Sequence, residues 1–145
     1  YVLMLYAVAG TALLACGAAP LNQLLERQYD AKMRRTEDRP LPSGRLQPEM
    51  ALIFGGMCSI AGLVLLAWRV NLLTSFLGAL TLISYLFIYT PLKRVTPLCV
   101  YIGAVPGALP PVLGWAAGSG TLTWQAWVLF AILYFWQLPH FPAIA

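Results

Sequence analysis

The chain has 145 residues, a hydrophobic fraction of 60%, only 10% charged residues and a formal net charge of +4. Its mean hydropathy is +0.74. Soluble domains carry roughly 25% charged residues, and a water-soluble fold of this size cannot hide so much apolar surface, so the composition excludes an ordinary soluble domain and points to the membrane class.

Charge is confined to short stretches. No Lys, Arg, Asp or Glu occurs in 1–25, 50–68, 70–92 or 95–145. A span needs roughly 20 apolar residues, so the sequence predicts five helical segments at about 1–20, 49–68, 72–90, 97–116 and 122–140. Helices are expected because backbone in lipid must satisfy its own hydrogen bonds. The expected fold is an all-α, polytopic transmembrane helix bundle forming one domain over 1–145. The chain starts at Tyr1 and stops inside an apolar run at Ala145. The expectation is a fragment truncated at both ends. Its first segment lacks the basic start and small-residue cleavage site of a signal peptide. Cys16, Cys58 and Cys99 are far apart and read as small apolar helix residues, not as metal ligands.

The first segment runs into the most polar stretch. Between residues 21 and 45 lie four of the five acidic residues and six of the nine basic ones. Asn22, Glu26 and Asp30 recur every fourth position, which places them on one face of a helix. Two carboxylates and an amide oxygen in that order form a ladder of hard oxygen ligands suited to Mg²⁺. The bland alternative is a helix that turns polar as it leaves the membrane. Against it stand the cost of placing Asn22 near the end of an apolar span, the shared face and the basic run that follows.

That run, "KMRRTEDRP", sets Arg35 and Arg39 at i and i+4, with Arg34 beside them. Guanidinium forks suit phosphate oxygens. Together with carboxylate-bound Mg²⁺ they can hold a diphosphate leaving group. Lys93 and Arg94, after the third segment, are candidates to complete that shell, or ordinary topogenic charge. The basic loops after segments 1 and 3 carry eight bases, the loop after segment 2 carries Arg69 alone, and "GSGTLT" carries none. This alternation is the positive-inside pattern, not a nucleic-acid footprint. It puts the charged loops on the cytoplasmic or matrix side.

The fourth segment contains "GAVPGALPPVLGWAAG". Pro106, Pro110 and Pro111 are expected to interrupt its helix, either as a plain kink or as broken backbone beside a cavity. Gly103/Gly107 and Gly114/Gly118 permit close packing. The fifth ends in "FWQLPHF", with the single histidine, His140, beside Pro139. His140 can ligate haem iron, assist proton transfer or satisfy carbonyls freed by the proline.

These blocks carry a resemblance. Asn22, Glu26 and Asp30 resemble the first acidic motif of the intramembrane prenyltransferase superfamily, Asn-Asp-x-x-Asp-x-x-x-Asp. Met33, Arg35, Thr36, Arg39, Pro40 and Leu41, with "YTPLKR" at 89–94, "GALPPVLGW" at 107–115 and "WQLPHF" at 136–141, are similar to blocks of its protohaem-modifying (haem O synthase) branch, in order. The resemblance covers nearly the whole chain. It implies a bundle of about nine helices around a cavity, of which this chain supplies roughly half. It implies transfer of a farnesyl group from farnesyl diphosphate to a vinyl group of haem B, giving haem O with Mg²⁺-assisted loss of diphosphate. The implied setting is the bacterial cytoplasmic or mitochondrial inner membrane. Haem A synthase or terminal-oxidase assembly factors are the implied protein partners, and nucleic acid is not one.

The implied roles are metal binding by Asn22, Glu26 and Asp30, and substrate binding by Asn22, Arg34, Arg35, Arg39, Lys93, Arg94 and His140. Arg35, Arg39 and His140 are the expected catalytic groups. Tyr85, Tyr89, Trp115 and Tyr134 are candidates to stabilise an allylic cation, or else interfacial anchors. Two departures stand out. The family's second acidic motif, near Tyr-Arg-x-Asp-Tyr, falls beyond Ala145, so the fragment alone is expected to be inactive. Cys99 stands where Asn is expected. Three rivals are a prenyltransferase for a quinone-precursor aromatic acceptor, a multi-spanning transporter, and a phospholipid-head-group transferase, whose Asp-Gly-x-x-Ala-Arg motif does not occur in the chain.

Overall fold

The computed structural model describes residues 1–96 and 98–144, with side chains as far as His140. Among the described residues the regular structure is entirely helical. The elements are α1 (Val2–Asp30), α2 (Pro48–Arg69), α3 (Leu72–Ile83), a π-helical turn (Ser84–Tyr89), the short α4 (Thr90–Leu92), α5 (Cys99–Ser119) and α6 (Trp124–Ile144). From Leu72 to Leu92 the chain forms one rod. This rod, α1, α2 and α5 are each long and apolar enough to cross a membrane. The last helix, α6, is rich in aromatic residues and carries Gln125, Gln137 and His140.

Three boundaries differ from the sequence reading. The first helix does not end near residue 20 but continues to Asp30, straight through Pro20. The polar ladder therefore sits on the same rigid element as the apolar span. The expected start of the fourth helix at residue 97 lies outside the described residues, and the observed helix begins at Cys99. The third difference is a correction: Pro106, Pro110 and Pro111 do not interrupt α5, which runs unbroken from Cys99 to Ser119. Each proline removes one backbone donor, but spanning helices tolerate this where neighbouring helices cover the freed groups. Pro106 is itself buried.

The actual irregularity is the π-helical turn just before Pro91. A proline ring crowds the carbonyl four residues earlier and has no N–H to offer it. Widening the preceding turn relieves that conflict, and Thr90 N–H bonds to Tyr85 O in the i→i−5 pattern instead.

Helix α1 packs most extensively on α2, α5 on α6, and the 72–92 rod on α2 and α5. Small residues set the α1–α2 spacing. A Cβ at Gly17 would lie 2.7 Å from Gly55 O and 2.9 Å from Ser59 N, so the backbones touch there. The apolar core joins Leu77, Val112, Leu113, Ala116 and Ala126, with Leu73, Trp115 and Phe130 packed around it. Asn71 caps α3 by accepting from Thr74 N–H at 2.7 Å, and its amide donates to Ala116 O at 2.9 Å, tying the rod to α5. Outward faces stay apolar. Ile53, Met57, Ile60 and Val64 form an exposed stripe along α2 at helical spacing, as a lipid-facing surface requires.

Candidate active site

Asn22, Glu26 and Asp30 occupy one face of the last turns of α1. Glu26 and Asp30 are both 5% exposed, which is rare for carboxylates without a compensating charge. Each has one. Lys93 Nζ pairs with Glu26 Oε1. Arg39 Nη1 donates to Asp30 Oδ2 at 2.9 Å. The two cations come from different places: Lys93 from the end of the 72–92 rod, Arg39 from the loop after α1.

The loop that delivers Arg39 is held from within. Leu41 is fully buried and anchors it. Thr36, also buried, donates its hydroxyl to Asp30 O at 2.9 Å and satisfies a carbonyl at the C-terminus of α1. The motif Arg-Thr-x-x-Arg-Pro-Leu thus fixes the polypeptide that carries the Asp30 partner.

Asn22 is occupied at both ends of its amide. Its Nδ2 donates to Glu26 Oε2 at 3.1 Å, and its Oδ1 accepts from Thr90 Oγ1 at 2.8 Å. Thr90 is 1% exposed and was not singled out by sequence reasoning. The only sequence cue was its place in "YTPLKR", two positions after a hydrophobic run and just before a proline.

The remaining candidates spread out. Arg94 lies against the outside of α1, with its guanidinium 4.0 Å from the Tyr29 ring centroid and a hydrogen bond to Leu25 O at 2.8 Å. Arg34 and Arg35 are exposed in the loop, whereas the ion pairs to the two carboxylates come from Arg39 and Lys93. His140 is exposed near the end of α6, with its ring stacked on Trp136 at 4.4 Å. The side chain of Phe141, part of the same block, lies outside the described residues.

Beside the ladder opens a cavity of about 380 Å³, lined by Thr81, Tyr85, Tyr89, Gly103, Pro106, Gly107 and Gln137. Tyr85 and Tyr89 stack one turn apart with centroids 5.8 Å apart, and Lys93 Nζ lies 5.7 Å from the Tyr89 ring. Gly107 makes room for Gln137, whose Oε1 would be 2.2 Å from an added Cβ. Of the other aromatic candidates, Trp115 packs on the apolar core and Tyr134 stacks on Phe130. Neither lines this cavity. Cys16, Cys58 and Cys99 are free thiols dispersed over three helices.

Among the described residues no group of three or more His, Cys, Asp or Glu side chains comes together. The carboxylates at this site are Glu26 and Asp30, one helical turn apart. Two carboxylates with the rest of the shell from water and phosphate oxygens is a donor set that Mg²⁺ accepts. The residues present therefore fit that ion as a partial shell.

Comparison with known proteins places the sequence in a family. The profile of the UbiA prenyltransferase family matches residues 1–145. The chain belongs to the UbiA prenyltransferase family. Within it, the chain is 57% identical over 142 residues to protoheme IX farnesyltransferase of Solibacter usitatus, covering 98% of this chain and 49% of that protein. It is 46% identical over 140 residues to the mitochondrial protoheme IX farnesyltransferase of Arabidopsis thaliana, covering 97% and 32%. The corresponding human mitochondrial protein is 43% identical over 136 residues, covering 94% and 31%. The chain thus spans about half the length of the bacterial relative and about a third of the mitochondrial ones. No solved structure matches it.

Proposed function

We propose that this chain carries the diphosphate-handling half of a membrane prenyltransferase that moves a farnesyl group from farnesyl diphosphate onto a vinyl group of haem B, giving haem O. The observation that carries the reading is the pair of buried carboxylates, each matched to a cation, set beside an aromatic cavity at one end of apolar helices. Kinship to proteins named protoheme IX farnesyltransferase supports the choice of acceptor and prenyl group.

Glu26 and Asp30 would hold Mg²⁺, which when bound supplies charge neutralisation for the diphosphate oxygens. The other work belongs to the chain. Lys93 and Arg39 balance the two carboxylates in the resting site. Both are one contact away from where phosphate charge would lie, so they bind it as the carboxylates are engaged elsewhere. The allylic carbon–oxygen bond breaks, and its electron pair leaves with pyrophosphate. The farnesyl carbon joins the terminal vinyl carbon. Water adds to the neighbouring carbon and loses a proton, leaving the hydroxyethylfarnesyl side chain. Stabilising the departing charge is the main electrostatic lever. The Tyr85–Tyr89 stack offers π faces to a developing carbocation and keeps water from it. Arg34, Arg35 and Arg94 would serve as collectors of anionic substrate, and His140, near the end of α6, would serve the haem acceptor. The basic loops face the cytoplasm or matrix.

The test uses the full-length protein that carries this sequence, in membranes or detergent, with farnesyl diphosphate and Mg²⁺. Haem B and a hydroxybenzoate acceptor are supplied separately. Haem O formation with release of pyrophosphate supports the reading. Prenylation of the hydroxybenzoate alone would reassign the acceptor. Absence of pyrophosphate release with either acceptor would overturn it.

A further inference from the structure

Four side chains close a ring between two helices. Thr90 Oγ1 lies 2.8 Å from Asn22 Oδ1, Asn22 Nδ2 lies 3.1 Å from Glu26 Oε2, and Glu26 Oε1 pairs with Lys93. Lys93 follows Thr90 by three residues, which brings it back to the same face of the rod. Two members sit on α1, and Thr90 sits on the 72–92 rod, which Lys93 directly follows. From this we propose that Thr90 is a positioning residue, which fixes the Glu26 carboxylate through Asn22. The proposal rests on the reading of Glu26 as part of the metal–diphosphate site.

The chemistry of the ring fixes the orientation of the Asn22 amide. A carboxylate only accepts, so the Asn22 group facing Glu26 must be the NH₂. The amide oxygen then faces Thr90 and needs a donor. Thr90 has one hydroxyl proton and two acceptors in reach, Asn22 Oδ1 at 2.8 Å and Tyr85 O at 2.9 Å. The π-helical turn puts Tyr85 O there, since it already receives Thr90 N–H. With Tyr85 O already served by that N–H, the Thr90 hydroxyl proton goes to Asn22 Oδ1 on α1. Without that hydroxyl, Asn22 Oδ1 loses its donor, the amide is free to turn, and Glu26 keeps only Lys93. Partners that orient a metal ligand from behind typically contribute about 10- to 100-fold in metal affinity.

The experiment compares wild type, Thr90→Val and Thr90→Ser in the full-length protein. Mn²⁺ affinity in the presence of inorganic pyrophosphate is read from the electron paramagnetic resonance of free Mn²⁺, beside the KM for farnesyl diphosphate and the thermal unfolding midpoint. Thr90→Val, which keeps the shape and loses the hydroxyl, is expected to weaken Mn²⁺ about 10-fold or more and to raise KM, with the midpoint little changed. Thr90→Ser restores both. Wild-type Mn²⁺ affinity in Thr90→Val, or equal defects in Val and Ser, would overturn the assignment. If Thr90→Val does not accumulate, Thr90→Cys, a weaker donor, takes its place: an intermediate affinity supports the assignment and a wild-type affinity refutes it. Glu26→Gln separates the two levels. If it leaves Mn²⁺ binding intact, the reading of Glu26 itself fails, whatever Thr90 does.

Discussion

Glu26 and Asp30 stand one turn apart on α1, both almost wholly buried, yet each is matched to a cation from a different segment of the chain. The site is thereby assembled from three pieces: a helix that presents acids, a rod that returns Lys93, and a loop that returns Arg39. Removal of one partner leaves the other buried charge uncompensated, which is more damaging than removal of both.

This asymmetry gives a first prediction. Lys93→Gln should lower the unfolding midpoint of the full-length protein and abolish turnover. Adding Glu26→Gln should recover much of the midpoint but none of the turnover. A double variant that melts no higher than Lys93→Gln alone would show that the pair contributes nothing to the fold.

Arg35 and Arg39 separate in the same manner. The sequence pairs them at i and i+4, but only Arg39 meets a carboxylate, while Arg35 is exposed. Arg39→Ala should cut kcat/KM by about 100-fold, the scale of losing one preorganised charge contact. Arg35→Ala should raise KM for farnesyl diphosphate and leave kcat within about threefold, as expected for a solvated charge. Equal losses in kcat would contradict the difference in placement.

The sequence pattern disclosed the acidic ladder because it is local: i, i+4, i+8 has one geometric meaning on a helix. It also disclosed five long helical segments, four of which are long and apolar enough to cross a membrane, since charge-free runs of that length have few other readings. The Glu26–Lys93 and Asn22–Thr90 contacts were beyond it, because pairing between distant segments depends on which helices pack together. Lys93 was a candidate through its charge and its place in "YTPLKR", and Thr90 was not singled out at all. Proline misled in both directions. Three prolines in α5 suggested a break that neighbouring helices absorb, while Pro91, in a block read for its basic residues, comes with the π-helical turn.

Close packing of α1 on α2 provides a stability test away from the chemistry. Gly17→Ala would force a methyl group against Gly55 O and Ser59 N. Overpacking of this kind costs about 1–3 kcal/mol. The unfolding midpoint should fall by several degrees while turnover per folded molecule stays the same. An unchanged midpoint would mean that the helices can part without loss.

The outward stripe on α2 tests the membrane assignment. Spin labels placed at Met57 and at Ile60, 66% and 64% exposed, should collide with dissolved oxygen far more than with a water-soluble nickel complex. The reverse ratio would place this face in water.

The most direct measurement of the central claim is haem O formation by the full-length protein with Asp30→Asn, assayed across a Mg²⁺ titration beside wild type. Loss of one buried carboxylate should lower kcat by about 100-fold or more and shift Mg²⁺ activation to higher concentration. Turnover close to wild type, with an unchanged Mg²⁺ dependence, would contradict the account.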